Sequence, residues 1–181
     1  MIQKILIVSD SHGRSGLVEN IIRKECPDML IHLGDIEDDP GVIRSCLDET
    51  AKTRNKSIPV PAVFVQGNCD RYAGKELKAA AIFNLNGHRF YCTHGHRNGV
   101  DYGVENLAYT ALENGCDFAL YGHTHRPFDD EWEGVRILNP GSIGYPRGGS
   151  KPGYMILQFD ERGDYTVERK KLCYEVTFVK R

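Results

Sequence analysis

Residues 121–127 read Tyr-Gly-His-Thr-His-Arg-Pro and carry two imidazoles separated by one residue. On a helix, residues two apart do not share a face. In an extended or turning loop that spacing can aim both rings into one cleft, or at two adjacent metal ions. Gly122, lacking a Cβ, predicts a sharp turn there, and Pro127 stops a helix. Four more short polar stretches carry donors: Asp10-Ser11-His12, Gly34-Asp35, Gly67-Asn68-Cys69-Asp70 and His94-Gly95-His96. Carboxylates, an amide oxygen and imidazoles together make a ligand set for Mn, Fe, Ni, Zn or Mg. A carboxylate such as Asp35 can bridge two metals. Each piece also has a plainer reading. Asp10-Ser11-His12 could cap a following helix, Gly34-Asp35 could be an ordinary turn, Asn68 a left-handed turn residue, His94 a satisfied loop histidine, and the histidines at 123 and 125 part of a solvated loop.

What joins the five stretches is position, since each follows an apolar run. Residues 2–8, 29–33, 62–65, 89–92 and 118–121 read as short buried strands. Residues 15–25, about 38–50 and 101–114 have helical apolar spacing. Asn86-Gly87 predicts a hairpin between 82–85 and 89–92. Further strands are expected at 135–138, 154–159 and 165–172, the last two forming a hairpin. Strands alternating with helices give an α/β chain with a parallel or mixed sheet. The hairpins suggest a second, more antiparallel sheet, hence a two-layer β core with helices outside. In such sheets, ligands bind beyond the carboxyl ends of the strands, where these loops would converge.

Composition narrows the class. A length of 181 residues suits one domain spanning 1–181, and 40% hydrophobic with 27% charged residues is ordinary for a globular chain. The net charge of -2 gives no reason to expect general nucleic-acid binding. The run Ile5-Leu6-Ile7-Val8 is too short to span a membrane and lacks a cleavage pattern. Six cysteines (26, 46, 69, 92, 116 and 173) form no C-x-x-C pair, so reduced thiols and a cytoplasmic location are expected.

The order Asp-x-His, Gly-Asp, Gly-Asn-x-Asp, His-x-His, Gly-His-x-His resembles the signature of the calcineurin-like metallophosphoesterases. The finer resemblance is to their small bacterial and archaeal phosphodiesterase branch. It rests on Asp117-Phe-Ala-Leu-Tyr-Gly-His-Thr-His125 followed by Leu138-Asn139-Pro140-Gly141-Ser142. It runs from about Lys4 to Arg147. It implies an αββα sandwich of two mixed β-sheets flanked by helices, with a dimetal site at the C-terminal edge of the strands. One metal would take Asp10, His12, Asp35 and His125, and the other Asp35, Asn68, His94 and His123. Manganese is the first expectation for the two divalent ions, with Ni, Fe, Zn and Mg as alternatives.

The implied reaction is phosphoester hydrolysis by a metal-bridging hydroxide. Asn68, Cys69, Asp70 and His96 are the candidate catalytic residues, and Arg147 is a candidate phosphate contact. Asp70 could equally be a structural carboxylate holding its loop. Cys69 departs from the wider superfamily, where many members have His. Two divalent ions, two carboxylates and a hydroxide leave a charge of about +1, which matches a phosphodiester monoanion. A phosphodiesterase acting on a small phosphoester, with no membrane partner, is therefore expected. A phosphomonoesterase or nucleotide pyrophosphatase on the same site is the alternative. A non-catalytic scaffold of the retromer-subunit type is a further one, and homo-oligomer formation is left open.

Overall fold

The strand Lys4–Val8 (β1) is apolar on both faces because both faces are covered. Leu6 and Val8 pack against Val18, Ile21 and Ile22 of the helix Ser15–Glu25 (α1) and Ile43 and Leu47 of the helix Pro40–Thr53 (α2). Ile5 and Ile7 point the other way and meet Phe90, Phe118, Leu120 and Leu138 of a second sheet. The computed structural model describes residues 3–70 and 77–172. Its remaining elements are β2 (Met29–His32), β3 (Ala62–Phe64), β4 (Ala80–Leu85), β5 (His88–Thr93), a 3-10 turn (His96–Asn98), α3 (Glu105–Glu113), β6 (Phe118–Leu120), β7 (Pro127–Trp132), β8 (Val135–Pro140), β9 (Gly153–Phe159) and β10 (Tyr165–Lys171).

Two 5-stranded sheets result, ordered β10-β9-β1-β2-β3 and β4-β5-β6-β8-β7. β1, β2 and β3 run parallel in the first, and β5, β6 and β8 run parallel in the second. The other pairings are antiparallel, so both sheets are mixed. Helices α1 and α2 cover the first sheet. Leu107, Ala108 and Ala111 of α3 cover the second, against Ala119, Tyr121 and Ile137. The layers are therefore αββα.

Three details differ from the sequence expectations. The β9–β10 hairpin joins the first sheet, beside β1, rather than the antiparallel part of the second. The residues of β9 say why: Tyr154 and Ile156 face the helix layer, while Met155, Leu157 and Phe159 face the other sheet. A strand buried on both faces needs a central place. β7 carried no signal, because Pro-Phe-Asp-Asp-Glu-Trp lies at a sheet edge with much of its surface in water. α3 begins at Glu105 instead of 101, since Gly103 has φ of 153°, outside the helical region.

No helix among the described residues is long and apolar enough to cross a membrane. Cys26, Cys46, Cys69, Cys92 and Cys116 are free thiols, and Cys173 lies outside the described residues.

Candidate metal centre

The parallel strands deliver their loops to one edge. Asp10 donates its backbone N–H to Gly34 O at 3.0 Å, and His12 donates to Asp35 O at 2.9 Å, which zips the β1 and β2 loops together. Asp10, Asp35, His12, His123 and His125 all have φ between 46° and 64°, a left-handed conformation that non-glycine residues adopt at a cost of about 1–3 kcal/mol each. Asn68 is not among the left-handed residues, so the turn-residue reading fails for it. The N-cap position of α1 is Arg14, and no side chain caps that helix, so Asp10-Ser11-His12 serves no capping role.

Close approach, rather than turning, explains two glycines. A Cβ on Gly122 would collide with Ser9 Oγ and come within 2.8 Å of Asp10 Oδ2. One on Gly67 would collide with the backbone and carboxylate of Asp35. Gly122 itself does not have positive φ. The turn expected there is made by His123 and His125.

Asp10, His12, Asp35 and His125 each place one ligand atom within 4.8 Å of the others. The protonation of the rings follows from their outer partners. His125 Nδ1 faces Tyr145 O at 2.5 Å, and His94 Nδ1 faces Leu33 O at 2.6 Å. His12 Nδ1 faces Glu37 Oε1 at 3.1 Å. Carbonyl and carboxylate oxygens only accept, so these nitrogens carry the protons and each neutral ring keeps its Nε2 lone pair.

Those lone pairs point at one another and at carboxylates. His12 Nε2 lies 3.3 Å from His125 Nε2, and His125 Nε2 lies 3.1 Å from Asp10 Oδ1. Asp10 Oδ1 is buried without a hydrogen-bond partner. His94 Nε2 lies 3.3 Å from Asp35 Oδ2 and 3.2 Å from Asn68 Oδ1. A buried ring of acceptors with no proton among them calls for a cation, and the O/N donors suit a divalent metal. Without one, a proton must fill the gap. Burial alone would lower the pKa values of His94 and His125, but the neighbouring carboxylates outweigh it and raise both. Burial would likewise raise Asp35, yet the hydrogen bonds from His94 and Cys69 hold its carboxyl well below the usual range.

The other expected site residues fall around this centre. Asp35 Oδ2 also lies 3.8 Å from His12 Nε2, so one oxygen faces both groups of donors. His123 turns its Nε2 to Asp101 Oδ2 at 2.9 Å, and its ring centroid is 5.2 Å from that of His94. His96 lies beside both rings, at 5.4 and 6.0 Å. Arg147 is exposed, with its backbone N–H on His125 O at 3.1 Å and its charge felt at His125. Cys69 donates its N–H to Asp35 Oδ1 at 2.8 Å. Burial, then the Asp35 and Glu37 carboxylates, push its thiol up to about 12. That thiol and the protonated His12 Nδ1 make the His12, Glu37 and Cys69 group a poor metal site, although their donor atoms also lie within 4.8 Å.

Asp70 holds the loops. Its buried carboxylate accepts the backbone N–H groups of Asp35, Gly67, Ile36 and Glu37, all at 2.8–2.9 Å. Sequence reading assigned no role to several residues that matter here. Asn139 donates to Gly122 O at 2.8 Å and accepts from Gly141 N at 2.8 Å. Ser142 Oγ donates to Asp10 O at 2.8 Å. His32 is wholly buried, its pKa pushed down to about 4 by that burial, and joins Ser11 Oγ at 3.0 Å to Gly34 N at 3.3 Å. Asn139 and Ser142 were visible in the Leu138–Ser142 pattern. Glu37, His32 and Asp101 lie outside any motif.

The pattern of the calcineurin-like phosphoesterase superfamily domain matches residues 3–162. The chain belongs to this superfamily. It is a phosphoesterase of a metal-dependent family, with Asp10, His12, Asp35 and His125 as clustered candidate ligands. Among its metallophosphoesterase relatives, the probable metallophosphoesterase YsnB of Bacillus subtilis is 32% identical over 158 residues, covering 86% of this chain and 84% of that protein. The phosphodiesterase YfcE of Escherichia coli is 31% identical over 171 residues, covering 87% and 88%. A predicted phosphoesterase from Streptococcus pneumoniae has a solved structure that superposes with a TM-score of 0.75 at 31% identity, covering 94% of this chain and 90% of that one. Vps29 of Entamoeba histolytica, solved with zinc, superposes with a TM-score of 0.67 at 18% identity, covering 92% and 98%, and shows the shared fold alone.

Proposed function

We propose that this metallophosphoesterase is a phosphodiesterase that holds two divalent cations, manganese foremost. Asp10, His12, Asp35 and His125 would hold one, and Asp35, Asn68, His94 and His123 the other. The observation that carries the reading is Asp35 Oδ2, which faces His94 Nε2 at 3.3 Å and His12 Nε2 at 3.8 Å. When bound, such a pair supplies Lewis acidity that activates water and neutralises phosphoryl charge. The chain's own residues then set the preference. Cys69 sits where an imidazole could offer a positive charge and a proton, but its thiol stays neutral and is flanked by Asp35 and Glu37. A monoester dianion meets that acidic side at a disadvantage, and a monoanionic diester meets it with less. The relative named phosphodiesterase supports the same choice. His96, next to His94 and His123, and Arg147, whose charge is felt at His125, would contact the phosphate or leaving group. The substrate is then a small phosphoester, and the site of action the cytoplasm.

Metal analysis paired with a phosphoester panel tests this. Protein loaded with Mn, Ni, Zn or Mg should hydrolyse bis(p-nitrophenyl) phosphate faster than p-nitrophenyl phosphate. Faster turnover of the monoester, or of a nucleotide pyrophosphate, in fully loaded protein would refute the diester reading. A single bound metal at saturation would refute the two-cation reading.

A further inference from the structure

The four histidines of the centre are held from outside in two ways. His94 and His125 donate to backbone carbonyls, Leu33 O and Tyr145 O. His12 and His123 instead donate to carboxylates, Glu37 Oε1 at 3.1 Å and Asp101 Oδ2 at 2.9 Å. These two rings are also the more solvent-exposed, at 12% and 22%, against 0% and 6% for His94 and His125. We propose that Glu37 and Asp101 are positioning residues that fix the ring tautomers of His12 and His123, one for each of the two cation positions, a proposal that rests on the two-cation reading above.

The two carboxylates fix opposite tautomers. Glu37 accepts the hydrogen bond of His12 Nδ1–H and leaves the Nε2 lone pair facing His125 and Asp35. Asp101 accepts the hydrogen bond of His123 Nε2–H, so only Nδ1 of that ring can bind a metal. His123 thereby differs from the other three, which present Nε2. A neutral imidazole has one lone pair, and the wrong tautomer would aim N–H at a cation. Outer partners of this kind typically change metal affinity by 10–100-fold.

Both carboxylates are open to solvent, at 39% and 55%, but the backbone that carries each is held in place. Glu37 is left-handed at φ 52°, and its N–H is held by Asp70 Oδ1 at 2.9 Å. Asp101 lies in the turn between Gly99 and Gly103, with Tyr102 N–H on Gly99 O at 2.9 Å. That turn continues from the His94-Gly95-His96 loop, so the loop after β5 supplies His94 and also the partner of His123.

Two measurements test this, and the first needs no metal. In metal-free protein with ¹⁵N-labelled histidine, at mildly alkaline pH, His12 should show the Nδ1–H tautomer and His123 the Nε2–H tautomer. Glu37→Ala should move His12 toward the other form, and Asp101→Ala should do so for His123. Glu37→Gln and Asp101→Asn, whose amide oxygens still accept, should restore the wild-type signals. In the second, calorimetric titration with Mn or Zn, each alanine variant should weaken one binding step about 10–100-fold and leave the other, with rescue by the amide variants. Unchanged tautomers and unchanged affinities in both alanine variants would overturn the proposal. A wild type that binds only one cation would sink the two-cation reading, while the tautomer result would still stand or fall separately.

Discussion

At the scale of single residues, Asp35 and Cys69 make opposite demands on the centre. Asp35 is a carboxylate held ionised among histidines, and both donor groups use the same oxygen. Asp35→Asn keeps an acceptor for Cys69 N–H but removes the charge. We expect an unchanged fold by circular dichroism, weaker binding of both metals, and activity lowered at least about a hundredfold, beyond the usual effect of an outer partner. A variant that binds two metals normally and turns over normally would remove Asp35 from the bridging role. Cys69 is a neutral thiol, with its pKa pushed to about 12 by burial and two carboxylates. An imidazole there could carry a proton near pH ~6.5. Cys69→His should shift the ratio of kcat/KM values toward p-nitrophenyl phosphate by roughly tenfold or more, since acid–base assistance is commonly worth 10²–10⁴. The comparison is made at equal metal loading, and an unchanged ratio would mean that residue 69 does not set specificity.

At the scale of elements, the centre depends on strand-end loops that are close enough to exclude side chains. Asp70 ties the β3 loop to the β2 loop through three backbone N–H groups and closes its own loop through a fourth, that of Gly67. Unpaired buried donors cost about 1–3 kcal/mol each, and point substitutions rarely exceed 4–5 kcal/mol in total. Asp70→Ala should therefore lower stability by about 3–5 kcal/mol in urea unfolding. Asp70→Asn should also destabilise, because one oxygen becomes an NH2 group facing donors. A proton donor would behave otherwise: its Asn variant would lose activity at full stability, and that outcome would reverse this assignment.

At the scale of the whole molecule, the centre lies at the seam between the sheets. Asp10, His12, Asp35 and Asn68 follow strands of one sheet, and His94, His123 and His125 follow strands of the other. Far from it, Glu25 joins α1 to the sheet. Its carboxylate is 5% exposed and accepts from Lys4 at 2.7 Å, Tyr154 OH at 2.8 Å and Lys170 at 3.2 Å. Burial alone would raise its pKa, but these hydrogen bonds outweigh it and lower the value from 4.5 to about 2. A lowered pKa stabilises the fold above the unfolded value and is lost as pH falls toward the folded one. Glu25→Gln should thus cost on the order of 2–3 kcal/mol near neutral pH. The gap between the two proteins should close between pH 4.5 and about 2, read from urea midpoints. A gap that stays constant across that window would show that the charge of Glu25 contributes nothing.

By itself the sequence determined the parallel strands and their helices and put candidate donors at the strand ends, because apolar periodicity and polar punctuation are local signals. It also showed Gly67 and Gly122, but not their purpose, since the atoms they make room for lie in the β2 and β1 loops. The polar edge strand β7 and the placing of β9 and β10 beside β1 depended on which faces other layers cover. The choice between loop-holder and proton carrier at Asp70 depended on four N–H groups, three of them more than thirty residues away. Which oxygen stands behind each histidine was likewise decided in three dimensions. A ring's tautomer follows from the oxygen behind it: Leu33 O reaches His94 only after the two sheets have packed, and Glu37 and Asp101 reach His12 and His123 from neighbouring loops that are distant in sequence.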